Sequence, residues 1–213
     1  MKKLTALFMG CIMITGAFAS CGKDSGDSSS KKENDPVAGK WLLKDEDDSY
    51  AMTMNFDSGK VKVEMDFSDE IHFKDKNIII EGEDYGADGV KFEDNKLTAS
   101  INGMDVLSMT RTEGEGDSFD GTYTDLGGLF FDSMSEEGVE ASVKVEGESF
   151  LINYDNFCEY TIEGDETMIL KNPPKSFLAE GEEDEAKMTF KVDGDNLSLT
   201  SSDGEVSEFT KVK

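Results

Sequence analysis

Histidine and cysteine are scarce in this sequence, with one His and three Cys, while the acids number 47, so the chemistry open to it starts from a few side chains set among many carboxylates. His72 is the only histidine. In Ile71-His72-Phe73, strand alternation turns Ile71 and Phe73 one way and His72 the other, which makes it an outward strand residue. A zinc site or a Ser-His-Asp triad needs a second histidine or a thiolate in pattern with it, and neither is placed there. Cys158 shares its phase with Tyr160 and Ile162, while Glu159, Thr161 and Glu163 take the other face. It reads as a buried thiol packed as a small hydrophobe. A nucleophile would need a cationic neighbour to lower its pKa, and the adjacent charges are acids.

Two triplets, Asp24-Ser25-Gly26 and Asp57-Ser58-Gly59, carry the letters of sites in which paired carboxylates share a proton. The second lies where a hairpin turn is expected, and there Asp and Gly serve backbone geometry. The first lies in a polar stretch without apolar residues. Carboxylate runs at 45–48 and 182–185 could collect calcium, a hard cation that takes oxygens. Neither run has EF-hand spacing, so weak divalent cation binding by solvated loop acids is the most they offer. No catalytic residue, metal site or cofactor is assigned from the sequence, and a non-enzyme is expected.

The remaining chemistry is at Cys21. Met1-Lys2-Lys3 is a short cationic start, and residues 4–18 are mainly apolar, which is the pattern of a secretory signal peptide. The run falls short of the roughly 20 residues needed to cross a bilayer, so a retained transmembrane helix is not expected. Ala19 and Ser20 stand directly before Cys21, an arrangement that resembles the lipobox of bacterial lipoproteins, although Phe18 stands where that pattern prefers Leu. Cleavage after Ala17-Phe18-Ala19 is the competing reading and would leave Cys21 unmodified. Lipidation implies a diacylglyceryl and fatty-acyl (palmitate-type) anchor at Cys21, and two or more chains hold a protein on a membrane stably. Residues 1–20 are then the signal peptide and residues 21–36 a disordered tether of Ser, Lys, Asp and Gly.

Processing removes Lys2 and Lys3 and no acid, which takes the formal net charge from -26 to -28. With no basic stripe against that excess, nucleic acid is excluded as a partner, because binding it requires Lys or Arg to displace counterions. Cys11 leaves with the signal and Cys21 takes lipid, so Cys158 has no intrachain partner and a disulfide framework is excluded. Residues 37–213 must fold on an apolar core alone.

Period-two alternation runs through that body: Tyr50, Met52, Met54 and Phe56 share one face, Val61, Val63, Met65 and Phe67 another, with Asp, Asn and Gly at the turns. The second half repeats the first. Gly39-Lys40-Trp41 matches Gly121-Thr122-Tyr123, and Leu97, Val106 and Met109-Thr110-Arg111 recur as Leu197, Val206 and Phe209-Thr210-Lys211. Val61–Glu64 also recurs verbatim at Val143–Glu146, but alignment of the Gly59 and Gly147 turns is preferred, because register follows turns. The offset grows from 82 (Gly39 to Gly121) to 100 (Leu97 to Leu197), so the second copy carries insertions. The expected units are 37–113 and 119–213, linked by 113–118.

The Gly-x-aromatic opening strand, the Asp/Gly turns and a closing strand ending in Arg or Lys resemble bacterial lipoproteins with lipocalin-like repeat domains. That resemblance implies an all-β fold of two tandem small antiparallel up-and-down β-barrels with little helix. It also implies that Trp41 packs against Arg111 and Tyr123 against Lys211 as barrel-closing pairs. The inserted segments of the second copy place Leu129, Phe130 and Phe131 in the one short helical stretch, and Phe177 and Leu178 in a Pro-rich loop. Two readings stand for these five residues: plugs for an open barrel end, or a patch that binds a partner. The expected protein is a lipid-anchored, extracytoplasmic surface lipoprotein acting as a non-catalytic binding or interaction module. A structural envelope lipoprotein without a dedicated ligand and a small-ligand carrier are the alternatives.

Overall fold

Strand alternation and tight turns build the body seen in the computed structural model, which describes residues 35–44, 50–84, 89–132, 140–174, 178 and 184–213. Strand β2 (Ala51–Asp57) buries Met52, Met54 and Phe56 and turns their neighbours outward. Its partner β3 (Lys60–Asp66) buries Val61 and Val63. Between them Ser58 and Gly59 both take positive φ, +53° and +81°, the turn whose twist matches a two-residue hairpin. The same geometry recurs at Asp75-Lys76 between β4 (Ile71–Lys74) and β5 (Asn77–Ile80), and at Glu81-Gly82 before β6 (Glu83–Asp84). It appears again at Asp94-Asn95 between β7 (Val90–Glu93) and β8 (Lys96–Ile101), and at Asn102-Gly103 before β9 (Met104–Glu113). These Asp, Asn and Gly residues tolerate the left-handed backbone at low cost.

The second half continues with β10 (Gly121–Gly127), a four-residue helix α1 (Leu129–Asp132), β11 (Ser142–Glu146) and the long β12 (Ser149–Glu163). It ends with β13 (Thr167–Lys171), β14 (Glu185–Asp193), β15 (Asn196–Thr200) and β16 (Val206–Lys211). The described chain is all-β, 66% strand and 3% helix. A short helix is expected within residues 125–134; of these, Asp125–Gly127 belong instead to β10, Leu129–Asp132 form α1, and 133–134 lie outside the described residues.

The register does not divide the sheet at the repeats. Thirteen strands form one antiparallel sheet in the order β13-β14-β15-β16-β1-β2-β3-β12-β11-β10-β9-β8-β7, where β1 is Gly39–Lys44, and β4–β6 form a small separate sheet. Because β12 also pairs β13, strands β1–β3 of the first repeat and β12–β16 of the second close a circuit. In the other direction β9 of the first repeat pairs β10 of the second. Each repeat therefore lends strands to the other. The physical reason is the short connection Gly114–Asp120: it lets β9 and β10 meet as a hairpin at little loop-closure cost, which leaves β1 to find β16.

Equivalent strands lie against each other at the junction. Alignment of the hairpin turns makes β1–β3 the counterpart of β10–β12, and the identical Val-Lys-Val-Glu strings fall in opposite hairpin arms, β3 and β11. β3 and β12 run antiparallel with Val63 opposite Tyr154 and Met65 opposite Ile152, centred on Glu64 opposite Asn153. One apolar row crosses this junction unbroken, Met52, Met65, Ile152, Val143 and Tyr123 standing side by side on successive strands. Cross-strand neighbours of this kind stabilise sheets. The buried residues accordingly form a single cluster spanning both halves.

Candidate functional site

Asp57, His72 and Cys158 each take a structural place in the fold. Asp57 Oδ1 accepts a 2.8 Å hydrogen bond from the Ser58 hydroxyl inside its own turn. His72 is half-buried on the face opposite Ile71 and Phe73, with Nδ1 2.8 Å from the Ser68 carbonyl. Cys158 is buried opposite Val61, and burial pushes its thiol up to about 12, far from the thiolate a nucleophile requires. Among the described residues no group of three or more His, Cys, Asp or Glu could hold a metal ion. Glu70 is raised by its burial and then by the charges of Glu81 and Asp69. Cys21, Phe177, Asp24-Ser25-Gly26, residues 45–48 and residues 182–183 lie outside the described residues.

The most elaborate constellation surrounds the two opening strands. Trp41 stands opposite Lys211 on β16, whose Nζ lies 4.9 Å from the indole centroid. Tyr123 stands opposite Arg111 on β9. The expected partners, Trp41 with Arg111 and Tyr123 with Lys211, are thus exchanged, as the exchange of strands requires. Arg111 is 9% exposed and donates from Nη1 to Ser118 O (2.9 Å) and from Nη2 to Gly116 O (3.0 Å), with its guanidinium 4.3 Å over Phe92. A planar fork can grip two carbonyls and stack on a ring at once, whereas the Lys211 ammonium is a point charge.

Each clasp has the same anatomy. Trp41 Nε1 donates to Val37 O at 2.7 Å and Tyr123 Oη donates to Phe119 O at 2.6 Å, four residues back in both cases. Val37 is fully buried, and Phe119 packs edge-on against Phe73 and Phe92. The opening glycines have a defined task. Gly39 (φ +122°) and Gly121 (φ +153°) take positive φ, and an added Cβ would sit 3.3 Å from Lys211 Cε and 2.9 Å from Arg111 Cδ respectively. Glycine lets the cationic side chain cross over the opening strand. Burial pushes the Tyr123 phenol up to about 12 against the nearby Arg111 charge. Tyr160 bonds Asp35, which also accepts the Val37 amide and so fixes the chain ahead of β1. The Val37/Phe119 relation was visible in the sequence as an apolar residue four positions before each opening aromatic, a signal that strand periodicity alone does not weigh.

The inserted segment gives a divided picture. Phe131 is 5% exposed and stacks near Phe150, while Phe130 is half-buried and meets Phe67, Phe131 and Phe150 edge-on. Leu178 is half-buried against the core. Leu129 is 50% exposed. Phe130, Phe131 and Leu178 thus pack against the core, and Leu129 is the exposed residue of α1. No helix among the described residues is long and apolar enough to cross a membrane. In comparisons with protein-family models, curated proteins and solved structures, nothing matches this chain.

Proposed function

We propose that this chain is an exported lipoprotein, anchored by lipid on Cys21 to the extracytoplasmic face of a membrane, whose β body is a non-catalytic binding or interaction module. The observation that carries the proposal is the cationic start, apolar run and Ala19-Ser20-Cys21 followed at once by a polar stretch. In the finer reading, the body is a pair of lipocalin-like β units assembled by exchanging strands between repeats. The raised Cys158 thiol and the Asp57 carboxylate occupied in its turn support a non-catalytic role. Leu129, exposed on α1 above the packed phenylalanines, is the point at which a protein partner would touch.

Cell fractionation of wild type and Cys21→Ser tests the anchor. The wild type goes with the membranes and takes up labelled fatty acid, while Cys21→Ser is released and unlabelled. Equal partitioning of the two overturns the anchor. Cross-linking on intact cells tests the module: Leu129→Asp loses the neighbours that the wild type captures, and an unchanged set of neighbours overturns the Leu129 assignment. The packing of Phe130 and Phe131 into the core favours a second reading, a structural envelope lipoprotein without a dedicated ligand.

A further inference from the structure

We propose that the closed circuit opens along the β1/β16 seam while the rest of the sheet stays paired, with β1 acting as a strap whose fastening is Lys211 on Trp41. The molecule contains its own comparison, because the β1/β16 and β9/β10 joints are the same joint in two copies. At β9/β10 the chain is continuous through Gly114–Asp120, the register runs from Thr122 opposite Glu113 to Gly127 opposite Ser108, and Arg111 grips Ser118 O and Gly116 O. That joint cannot separate by more than its short connection allows. The β1/β16 joint joins the first and last described strands, which are far apart in sequence and share no short connection. Its register is Trp41 opposite Lys211 and Leu42 opposite Thr210, extended by Val212 N donating to Lys40 O at 2.9 Å.

Parting the seam leaves both strands anchored on their other sides. β1 keeps its ladder to β2 from Gly39 opposite Phe56 to Lys44 opposite Ala51. β16 keeps its ladder to β15 from Asn196 opposite Thr210 to Thr200 opposite Val206. The opening is therefore a local event of the kind hydrogen exchange separates from global unfolding. It uncovers Trp41, which is 0% exposed when the seam is closed.

Two neighbouring amides read the seam directly in the full chain. Lys211 N bonds Asp195 O on the β15 side at 2.8 Å, and Val212 N bonds Lys40 O across the seam at 2.9 Å. Native-state exchange followed by NMR should show Val212 exchanging through an opening insensitive to low denaturant, while Lys211 exchanges with global unfolding. Fraying of the C-terminus would release both amides and leave Trp41 shielded. The second readout is acrylamide quenching of Trp41, the single tryptophan of the chain. Lys211→Ala should raise the population of open seam, and with it Val212 exchange and Trp41 quenching, by roughly threefold to thirtyfold, the worth of a cation over an indole. Amides on β9 and β10 should keep their wild-type rates. Val212 exchanging only with global unfolding, or Trp41 quenching unchanged by Lys211→Ala, overturns the proposal.

Discussion

Trp41 and Lys211 face each other across the antiparallel joint of the first and last strands, with the Lys211 ammonium 4.9 Å from the indole centroid. The contact fastens the first described strand to the last. With Arg111 opposite Tyr123 at the equivalent joint, it shows that each opening strand is fastened by a cationic closing strand, and that the two repeats serve each other.

The strand exchange predicts that the halves stay together without a covalent link. A protease site inserted between Gly116 and Asp117, where a Cβ on Gly116 would meet nothing within 4 Å, should be cleaved in the folded protein. The two fragments should then co-elute at the size of the intact chain and part only in denaturant. Their separation under native conditions would be incompatible with a shared sheet.

The two opening glycines should respond unequally to alanine. At Gly39 the new Cβ meets Lys211 Cε at 3.3 Å, the yielding part of a long side chain. At Gly121 it meets the Glu113 carbonyl oxygen at 2.3 Å, and backbone cannot step aside without breaking the β9/β10 ladder. Urea midpoints should place Gly121→Ala roughly 1–3 kcal/mol below Gly39→Ala.

The inserted segment should split sharply on truncation. Phe131→Ala removes a buried ring beside Phe150 and should cost about 3–5 kcal/mol. Leu129→Ala removes exposed surface and should stay within about 0.5 kcal/mol. Thermal unfolding of the two variants checks this; equal losses would mean that α1 packs differently.

Stability should fall on the alkaline side. Burial raises the Cys158 thiol from 9.0 to about 12, so as pH rises the unfolded chain loses this proton first. The folded state then holds more protons, and stability is full below about pH 9 and declines above it, by up to roughly 1.4 kcal/mol per pH unit. The Tyr123 phenol, raised from 10.0 to about 12, adds its own decline from about pH 10. Urea midpoints across this range should show the first decline vanish in Cys158→Ala; its persistence would mean that the thiol is not what titrates.

The cationic start, the apolar run up to Ala19-Ser20-Cys21, the polar stretch after it and the acidic composition are matters of residue order and type, legible without a fold. So is much of the local structure. Alternation in Ala51–Asp57 and Lys60–Asp66 marks strands, and Gly59, Asp75, Asp94-Asn95 and Asn102-Gly103 mark the turns. The clasp residues Trp41, Arg111, Tyr123 and Lys211 come from the lipocalin-like resemblance, which implies an aromatic after an opening glycine pinned by a cation on a closing strand. What the spacing could not decide was which closing strand meets which opening strand. β9 and β16 carry the same pattern, so the pattern by itself assigns neither of them to β1 or to β10. Geometry decides. The short Gly114–Asp120 connection holds β9 beside β10, and β12 is long enough to pair β11, β3 and β13 in turn. Halves that share a sequence pattern are thereby woven together in space, because the cheapest loop to close is the one between them.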